Sequence, residues 1–338
     1  MGKLKLGMIG CGWFAPFHVN ALLQLSQRAE VLWAADPDLD RAKRIAASVG
    51  ARPLVDYRDG LADVDAVDIL VPHHLHRPIA LDCLDAGRHV LLEKPIATTL
   101  READELIAAA DRNRRTFMVG HLHRYRPSLR MLKGAIESGR YGRLFMLDAM
   151  MDESLLGYAS LGWIARRATL GGGVFFSSST HMLDPMLWIG GEVRSLSMVG
   201  THGGVAMEGE DTAISILKFA SGAVGTTRHT WASPRSRVWY TLTATCQKAH
   251  LILTTTPLGD LAADGHRCPW RTRLAALGDT EEVLLDSGEG LDVAYEMAHF
   301  LDCVETGATP ETDGRAGRRI IELVLSAYAD AERTGANA

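Results

Sequence analysis

The chain has 338 residues, more than one typical domain, and its 47% hydrophobic and 23% charged residues suit a folded globular protein. A net charge of −5 offers no basic surface for nucleic acid or an anionic membrane, and no apolar run is long enough to span a bilayer. The five cysteines are scattered without a CxxC pair, so we expect reduced thiols and a cytoplasmic protein with no signal peptide.

Residues 3–36 follow the order strand, glycine turn, helix, strand and acid. Gly10 permits a tight turn after the first apolar run, and Gly12, which has no Cβ, lets a pyrophosphate approach the backbone. The helix that follows would present its free N–H groups to phosphates. Asp36 comes 21 residues after Ala15, where a carboxylate can accept hydrogen bonds from a ribose diol. The pattern therefore predicts a dinucleotide-binding unit.

Strand and helix patterns alternate through the rest of the first 122 residues. We predict helices at 37–50, 78–87 and 100–113 and strands at 65–71, 89–92 and 116–119. Such alternation is typical of a parallel sheet covered by helices on both faces. Because ligands bind these sheets at the carboxyl ends of the strands, the candidate site segments are 10–15, 72–76, 93–95 and 120–125.

Two of these strand ends are rich in histidine. His73, His74 and His76 follow one strand, but no cysteine or carboxylate is spaced to complete a tetrahedral set. We therefore expect no metal there, and instead a loop that contacts the cofactor. His121 and Arg124 lie in a segment that we expect to link two domains, where either side chain could reach a substrate.

Lys94 follows a predicted strand and Glu93. At the end of a central parallel strand, its ammonium would point into the crevice that holds a nicotinamide. There it could hold a substrate hydroxyl or carbonyl oxygen and assist the proton transfer that accompanies hydride transfer. Lys94 is therefore a candidate catalytic residue, the alternative being a surface lysine. The sequence leaves open whether the bond to Pro95 is cis.

The second half is predicted to form a separate domain, 123–338, after a first domain of 1–122. The predicted elements are helices at 127–138, 180–189, 293–305 and 314–333, a strand at 143–152 and an antiparallel set of strands between 195 and 253. Trp163 and Arg166 lie in an irregular stretch and are candidate substrate contacts. Residues 254–290 show no pattern that favours one structure.

Together these segments resemble the glucose–fructose oxidoreductase/inositol dehydrogenase (Gfo/Idh/MocA) family over nearly the whole chain. The resemblance rests on GCGWFA, PHHLHRPIA, LLEKPIATTLREADEL and RYRP in the first half, and on GGGVFFSSSTHMLDPMLWIGG and EDTAISILKFASGAVGTTRHTW in the second. It implies NAD- or NADP-dependent oxidation or reduction of a sugar, cyclitol or related hydroxy compound. It also implies an α/β fold: an N-terminal Rossmann parallel sheet plus a C-terminal α/β domain with a large, mostly antiparallel open sheet. That sheet often forms an oligomer interface in the family, so we expect a homo-oligomer, a dimer or tetramer. The C-terminal helices are expected to pack beside the first domain.

The chain departs from the family pattern at one position. The family places an acid four residues before a histidine, whereas here Ser177 stands at the acid position, His181 is present and Asp184 follows it. A carboxylate would raise the basicity of the histidine and orient it, but serine supplies no charge. His181 remains a candidate general acid/base, a role that Lys94 could share or take.

NAD is the expected cofactor and NADP the less favoured one, because the carboxylate of Asp36 would repel a 2′-phosphate. Arg41 and Lys43 on the next helix could weaken that preference. The expected catalytic residues are Lys94 and His181. The expected substrate contacts are Lys94, His121, Arg124, Trp163, Arg166, Ser177, His181 and Asp184. The expected cofactor contacts are Gly10, Gly12, Trp13, Phe14, Asp36, Arg41, Pro72, His73, His76, Glu93 and Lys94.

Three functions remain consistent with these residues. The first is a sugar or polyol dehydrogenase. The second, implied by the resemblance, is a redox-neutral glycoside-cleaving enzyme that oxidises the sugar, eliminates the leaving group and returns the hydride. The third is a non-catalytic NAD-binding regulatory protein, which Ser177 favours and which Lys94 and His181 oppose. The expected partner of an enzyme is a small carbohydrate-like molecule, with neither nucleic acid nor membrane involved.

Overall fold

The structure is a computed structural model that describes residues 2–156, 161–234, 238–260 and 267–334. The chain forms two compact units. The first comprises Met1–Leu122 and Asp292–Ile321, and the second comprises His123–Leu291 and Glu322–Ala338. The first unit thus takes segments from both halves of the sequence, and the two-domain division given above stays a prediction.

The regular elements are named in chain order. The strands are β1 (Leu4–Ile9), β2 (Ala29–Ala35), β3 (Arg52–Leu54), β4 (Ala66–Ile69), β5 (His89–Glu93), β6 (Phe117–Gly120), β7 (Leu144–Asp152), β8 (Val193–Thr201), β9 (Thr212–Phe219), β10 (Val224–Thr230), β11 (Tyr240–Cys246), β12 (His250–Pro257), β13 (Trp270–Leu277) and β14 (Glu281–Ser287). The helices are α1 (Ala15–Gln24), α2 (Leu39–Val49), α3 (His76–Asp85), α4 (Leu100–Asn113), α5 (Pro127–Glu137), α6 (Arg167–Leu170), α7 (Val174–Ser177), α8 (Thr180–Gly190), α9 (Ala294–Thr306) and α10 (Gly314–Thr334).

The first unit is built on a parallel sheet in the order β3-β2-β1-β4-β5-β6. This is the strand order of a doubly wound dinucleotide-binding fold, so the predicted Rossmann sheet is confirmed. Strand β3 was not predicted, because three residues are too few to show a period. The strand order brings the carboxyl ends of β1, β4 and β5 side by side, which places the glycine turn near Lys94.

Trp33 on β2 holds the centre of this sheet in place. Its side chain is fully buried, and its indole Nε1 donates to the carbonyl oxygen of Gly60 at 2.8 Å. The ring occupies the space beside Gly7 on β1, where an added Cβ would lie 2.1 Å from the indole. Glycine at position 7 therefore lets the first strand, which leads into the glycine turn, pack against its neighbour.

The second unit contains an eight-stranded sheet in the order β14-β13-β12-β11-β7-β10-β9-β8. Only β7 and β10 pair in parallel; the remaining neighbours are antiparallel. The prediction of a large, mostly antiparallel sheet is confirmed. The parallel pair puts the carboxyl end of β7 beside that of β10.

Strands β13 and β14 lie in the segment 254–290, for which no structure was predicted. Charged residues interrupt any apolar alternation there, and they pair across the two strands. Arg271 contacts Asp286 at 2.7 Å, and Arg273 contacts Glu281. Charged side chains are common on edge strands because they discourage pairing with other chains. Because these charged residues break the apolar alternation, the two strands were not predicted from the sequence.

The sheet of the second unit has one covered and one open face. On β9, residues 213, 215, 217 and 219 are buried, whereas Ile214 and Ile216 are 45% and 64% exposed. Helix α8 packs against β7, and α5 packs against β12 and β13. None of the described helices combines the length and the apolar character that a membrane crossing requires.

Candidate functional site

The turn after β1 has the geometry that close approach of a ligand requires. Gly10 has a φ of 97°, and a Cβ at that position would lie 2.3 Å from the carbonyl oxygen of Leu70. Only glycine fits there. A Cβ on Gly12, in contrast, would meet no heavy atom of the described residues within 4 Å. The protein thus leaves open space directly above the backbone of Gly12.

Helix α1 begins immediately after this turn. Its first residue, Ala15, is fully buried, so the helix packs closely against the sheet. Phe14 occupies the N-cap position, and no side chain of the described residues caps the first turn. Trp13 is 59% exposed and stacks on Phe14, with ring centroids 6.0 Å apart. Pro16 has no N–H, and the N–H groups of Ala15 and Phe17 donate to the carbonyl oxygens of Gly12 at 3.3 Å and Phe14 at 3.0 Å. These three residues therefore offer no free N–H, and a pyrophosphate here would be bound by the backbone of the glycine turn and by the positive end of the helix dipole.

Asp36 is held beside the turn by backbone hydrogen bonds. Its Oδ2 accepts from the N–H of Cys11 at 2.9 Å, and its Oδ1 accepts from the N–H of Asp38 at 2.9 Å. Burial, followed by the charge of Asp36, raises the pKa of the Cys11 thiol to about 12, so this cysteine stays protonated. Arg41 pairs with Asp38 at 3.2 Å. These residues fit NAD: an open glycine turn, a helix N-terminus and a fixed carboxylate at the end of β2.

The histidine-rich segment lies at the end of β4, in the same unit. Pro72 precedes a short 3-10 turn, His73–Leu75, and His73 is buried. The ring of His76 is fully buried, with Nδ1 2.7 Å from the carbonyl oxygen of Pro95 and Nε2 2.9 Å from that of Val71. His76 therefore joins the loop after β4 to the loop after β5. Across the described part of the chain, no three His, Cys, Asp or Glu side chains gather in a way that could hold a metal ion.

Lys94 follows the last residue of β5 and is half-buried. The Lys94–Pro95 peptide bond is cis. The Oε2 atom of Glu93 accepts from the N–H of Lys94 at 3.2 Å. On the other side of Glu93 lies Gly120 of β6, where an added Cβ would sit 3.0 Å from Glu93 Oε1. The carboxylate of Glu93 is thus confined next to Lys94.

A buried cluster beneath Glu93 was missed by the sequence analysis. Nδ1 of His18 on α1 lies 2.8 Å from Asp68 Oδ2, and Nε2 lies 3.3 Å from Glu93 Oε1. Burial lowers the pKa of His18, but Asp68 and Glu93 outweigh it and raise the pKa to about 10. The ring is therefore an imidazolium at neutral pH. The available signal was an aspartate inside the apolar strand AVDI and a histidine inside an apolar helix.

The second unit contains the other predicted residues. Ser177 ends α7 and is 6% exposed, and His181 is half-buried in the first turn of α8. Asp184 is fully buried, and both of its carboxylate oxygens are engaged by Arg124: Nε donates to Oδ2 at 3.1 Å, and Nη2 donates to Oδ1. Two predicted substrate contacts thus form a bidentate ion pair with each other.

The short helix α7 is held at its start by Glu210. The Oε1 atom of Glu210 accepts from the N–H of Phe175 at 3.1 Å and from the hydroxyl of Tyr328 at 2.6 Å. A Cβ on Gly173 would lie 2.3 Å from the carbonyl oxygen of Glu210. Burial raises the pKa of the Glu210 carboxyl above its usual range. The glycines before α7 therefore allow the buried carboxylate of Glu210 to bind the start of the helix that carries Ser177.

His123 lies against His181, with ring centroids 5.1 Å apart and nearly perpendicular. It also stacks on Tyr240 at 4.6 Å. Nη1 of the fully buried Arg126 is 3.3 Å from Nδ1 of His123. Because a guanidinium only donates, that nitrogen must accept, and His123 is the neutral imidazole.

The remaining predicted contacts are dispersed. His121 is buried at the end of the first unit. Trp163 is half-buried in a 3-10 turn, and the hydroxyl of Thr169 donates to its carbonyl oxygen at 2.5 Å. Arg166 is exposed before α6. Their roles stay predictions.

Two family models match the chain. One, described as an oxidoreductase family with an NAD-binding Rossmann fold, GFO_IDH_MocA, matches residues 4–121. The other, the GFO/IDH/MocA C-terminal domain, matches residues 129–252.

Individual relatives agree with this assignment. The chain is 25% identical to a D-apiose dehydrogenase of Paraburkholderia graminis over 337 residues, which cover 97% of this chain and 88% of that one. It is 31% identical to inositol 2-dehydrogenase 2 of Saccharopolyspora erythraea over 228 residues, 65% of each protein and so just under two thirds. The crystal structure of the WlbA dehydrogenase from Bordetella pertussis in complex with NADH and UDP-GlcNAcA matches with a TM-score of 0.80 at 26% identity, covering 98% of this chain and 97% of that one.

Proposed function

The chain belongs to the Gfo/Idh/MocA family of oxidoreductases, and from this premise we propose that it is a NAD-dependent dehydrogenase of a sugar, glycoside or cyclitol. NAD, when bound, supplies the acceptor for a hydride from a secondary alcohol, or in its reduced form the donor to a ketone. One observation carries the proposal: an open glycine turn, an uncapped helix start and a fixed carboxylate share one unit with the strand-end lysine. Relatives named for a sugar, a cyclitol and a UDP-sugar acid support the substrate class.

The cofactor contacts follow from the first unit. The backbone at Gly12 and the start of α1 would bind the pyrophosphate, and the carboxylate of Asp36 would accept from the ribose hydroxyls. Arg41, the first cation of α2, pairs with Asp38. The carboxylate therefore keeps its repulsion toward a 2′-phosphate, which favours NAD over NADP.

We assign the role of accepting the proton of the reacting hydroxyl to Lys94 or to His181. Lys94 is the stronger candidate because the Glu93 carboxylate fixes its backbone at the end of β5. An amine so placed can hold the substrate oxygen and take up its proton as the hydride leaves. His181, half-buried at the start of α8, is the second candidate.

A substrate screen tests the proposal. Sugars, glycosides and cyclitols are incubated with NAD and with NADP, and the absorbance of the reduced cofactor is followed. Net NADH formation with at least one of them is expected. Release of an aglycone without net NADH would instead identify redox-neutral glycoside cleavage, and no turnover with measurable NAD binding would identify a non-catalytic NAD-binding protein.

Two lysine variants test the role of Lys94. We expect K94A to lower kcat by about 10²- to 10³-fold, because general acid–base catalysis contributes about that much, while the Kd of NAD changes little. K5A is the matched control, since Lys5 is exposed on β1 toward its amino end. Wild-type turnover in K94A would refute the assignment. The kcat of H181A and its Kd for NAD test the second candidate in the same way, and wild-type turnover in H181A would refute a catalytic role of His181.

We further infer a cytoplasmic homo-oligomer. All five cysteines are free and buried, which suits a reducing compartment. The open face of the second sheet exposes Val199, Ile214, Ile216 and Val224, which form an apolar surface that a second copy could cover. Light scattering should give a dimer or tetramer, and the substitution I216E should lower the mass to that of a monomer.

A further inference from the structure

His18, Asp68 and Glu93 come from three different elements of the first unit. Asp68 on β4 and Glu93 on β5 are 1% and 9% exposed, and they lie on neighbouring strands of the parallel sheet. Helix α1 inserts His18, itself 1% exposed, so that one ring nitrogen faces each carboxylate, at 2.8 and 3.3 Å. One histidine therefore cross-links two strands at the end of the sheet where the cofactor residues are.

The partners of His18 determine its charge state. Both are carboxylates, so both ring nitrogens must carry hydrogen to satisfy them, and the ring is then a cation. The pKa of about 10 agrees, since the two acids together outweigh the effect of burial. With His18 charged and both acids ionised, the cluster carries one net negative charge rather than two.

The cluster is connected to Lys94 through Glu93. One oxygen of Glu93 faces His18, and the other accepts from the backbone N–H of Lys94. Gly120 confines the same carboxylate, because even a Cβ would come within 3.0 Å of it. The His18 ring also contacts Phe14 edge-on, with centroids 5.2 Å apart, so it touches the glycine turn as well.

His76 is another titratable ring whose charge interacts with that of Lys94. Burial lowers the pKa of His76, and the charge of Lys94 lowers it further. The two ring nitrogens of His76 face the carbonyl oxygens of Pro95 and Val71, whose hydrogen bonds oppose this lowering, so His76 is bound to the backbone rather than to the two acids.

We propose that His18 is a positioning residue for Lys94, fixing the Glu93 carboxylate that holds the lysine and offsetting one of the two buried negative charges. The inference rests on the proposed function, in which Lys94 handles the substrate proton. A purely structural cross-link is the alternative, and it would affect stability without affecting the reactivity of the lysine.

The free protein provides a test that needs no substrate. The rate at which Lys94 is acetylated by acetic anhydride is measured by peptide mass spectrometry near neutral pH in wild type, H18Q, D68N and H89Q. H18Q removes the cation that faces both acids, so the negative charge beside Lys94 is less offset and favours the ammonium form. We therefore expect labelling at least about threefold slower. In D68N one negative charge is removed, so labelling should be faster than in wild type.

H89Q is the matched control. His89 is at the amino end of the same strand as Glu93, and its Nδ1 accepts from the N–H of Thr116 at 3.0 Å. The H89Q substitution removes this histidine hydrogen bond from the same unit and leaves His18, Asp68 and Glu93 unchanged. We expect a lower melting temperature in H89Q and an unchanged labelling rate.

Turnover provides the second readout. With the substrate found in the screen, H18Q should lower kcat by roughly 10- to 100-fold, the usual effect of a small misplacement of a catalytic group, with the Kd of NAD within about threefold of wild type. If H18Q does not fold, D68N decides: faster labelling than wild type supports the proposal, and equal or slower labelling overturns it.

The outcomes separate the inference from its premise. If H18Q folds and its labelling rate or its kcat stays within about twofold of wild type, the positioning role is wrong. If K94A keeps full turnover, the proposed role of Lys94 fails instead, whatever the labelling of H18Q shows.

Discussion

Replacing Gly12 by alanine should weaken NAD binding and leave the fold intact. The added methyl would meet no described heavy atom within 4 Å, and the φ of Gly12 is outside the left-handed region that disfavours alanine. The free protein should therefore tolerate the substitution to within about 0.5 kcal/mol. The same methyl would occupy the space through which a pyrophosphate approaches the backbone.

The expected loss can be worked out from the hydrogen bonds at stake. A hydrogen bond to a charged group contributes about 1.5–3 kcal/mol, so losing one or displacing two corresponds to a rise of roughly 10- to 100-fold in the Kd of NAD. At a concentration 100 times the wild-type Kd, NAD stabilises the wild type by about 2.7 kcal/mol. A 100-fold weaker variant would gain only about 0.4 kcal/mol at the same concentration.

Thermal denaturation with and without NAD measures both quantities in one experiment. Without NAD, G12A should have the same melting temperature as wild type. With NAD, it should lose most of the rise in melting temperature that wild type shows. G10A is the comparison, because its methyl would lie 2.3 Å from the oxygen of Leu70 at a φ of 97°. That variant should be destabilised even without NAD.

Either of two results would refute this reasoning. A full NAD-dependent shift in G12A would mean that the pyrophosphate does not approach this turn. A G10A protein as stable as wild type would mean that the turn is not constrained as the structure shows.

Three further predictions concern charged groups. D36S should raise the Kd of NAD by roughly tenfold and narrow the preference for NAD over NADP in titrations, because it removes the carboxylate that would accept from the ribose hydroxyls and repel a 2′-phosphate. The pKa of His18 is raised from 6.5 to about 10, so its stabilisation is complete below about pH 6.5 and is lost as the pH rises toward 10. Between about pH 7.5 and 9, urea unfolding of wild type should therefore lose about 1.4 kcal/mol per pH unit more than H18Q does; equal slopes would contradict this. R126M should lower stability by about 3–5 kcal/mol in calorimetry, because it leaves Glu289, whose Oε1 is 2.8 Å from Arg126, buried without its cation; R126M/E289L should recover most of the loss.

The parts of the fold that sequence predicted are those fixed by nearby residues. The first strand, the turn and the start of the helix at Ala15 follow from an apolar run and from two glycines, Gly10 and Gly12, that are separated by one residue. Helix α4 was predicted at its observed bounds, Leu100–Asn113, from its amphipathic pattern, and the structure adds a capping box of Thr99 and Glu102 at its start. Such signals are complete within a few residues, so no tertiary contact is needed to recognise them.

The parts that sequence missed depend on contacts between distant segments. His18, Asp68 and Glu93 are separated by 50 and 25 residues and meet only because β4 and β5 are adjacent in the sheet. The pairing of Arg124 with Asp184 spans 60 residues. A charged residue inside an apolar run indicates that a partner exists, but the run does not say which one.

The pairing of Asp184 bears on how the proton is handled. With Ser177 at the position where the family has an acid, Asp184 is the carboxylate closest in sequence to His181. Both oxygens of Asp184 are bound by Arg124, so the charge that could raise the basicity of His181 is offset by a guanidinium. His123, which packs against His181, is a neutral imidazole because Arg126 donates to it. Lys94, in contrast, is held at its backbone by Glu93, and the charge of that acid is partly offset by His18. Removing Lys94 should therefore cost more turnover than removing His181, and the reverse order would place the proton transfer on the histidine.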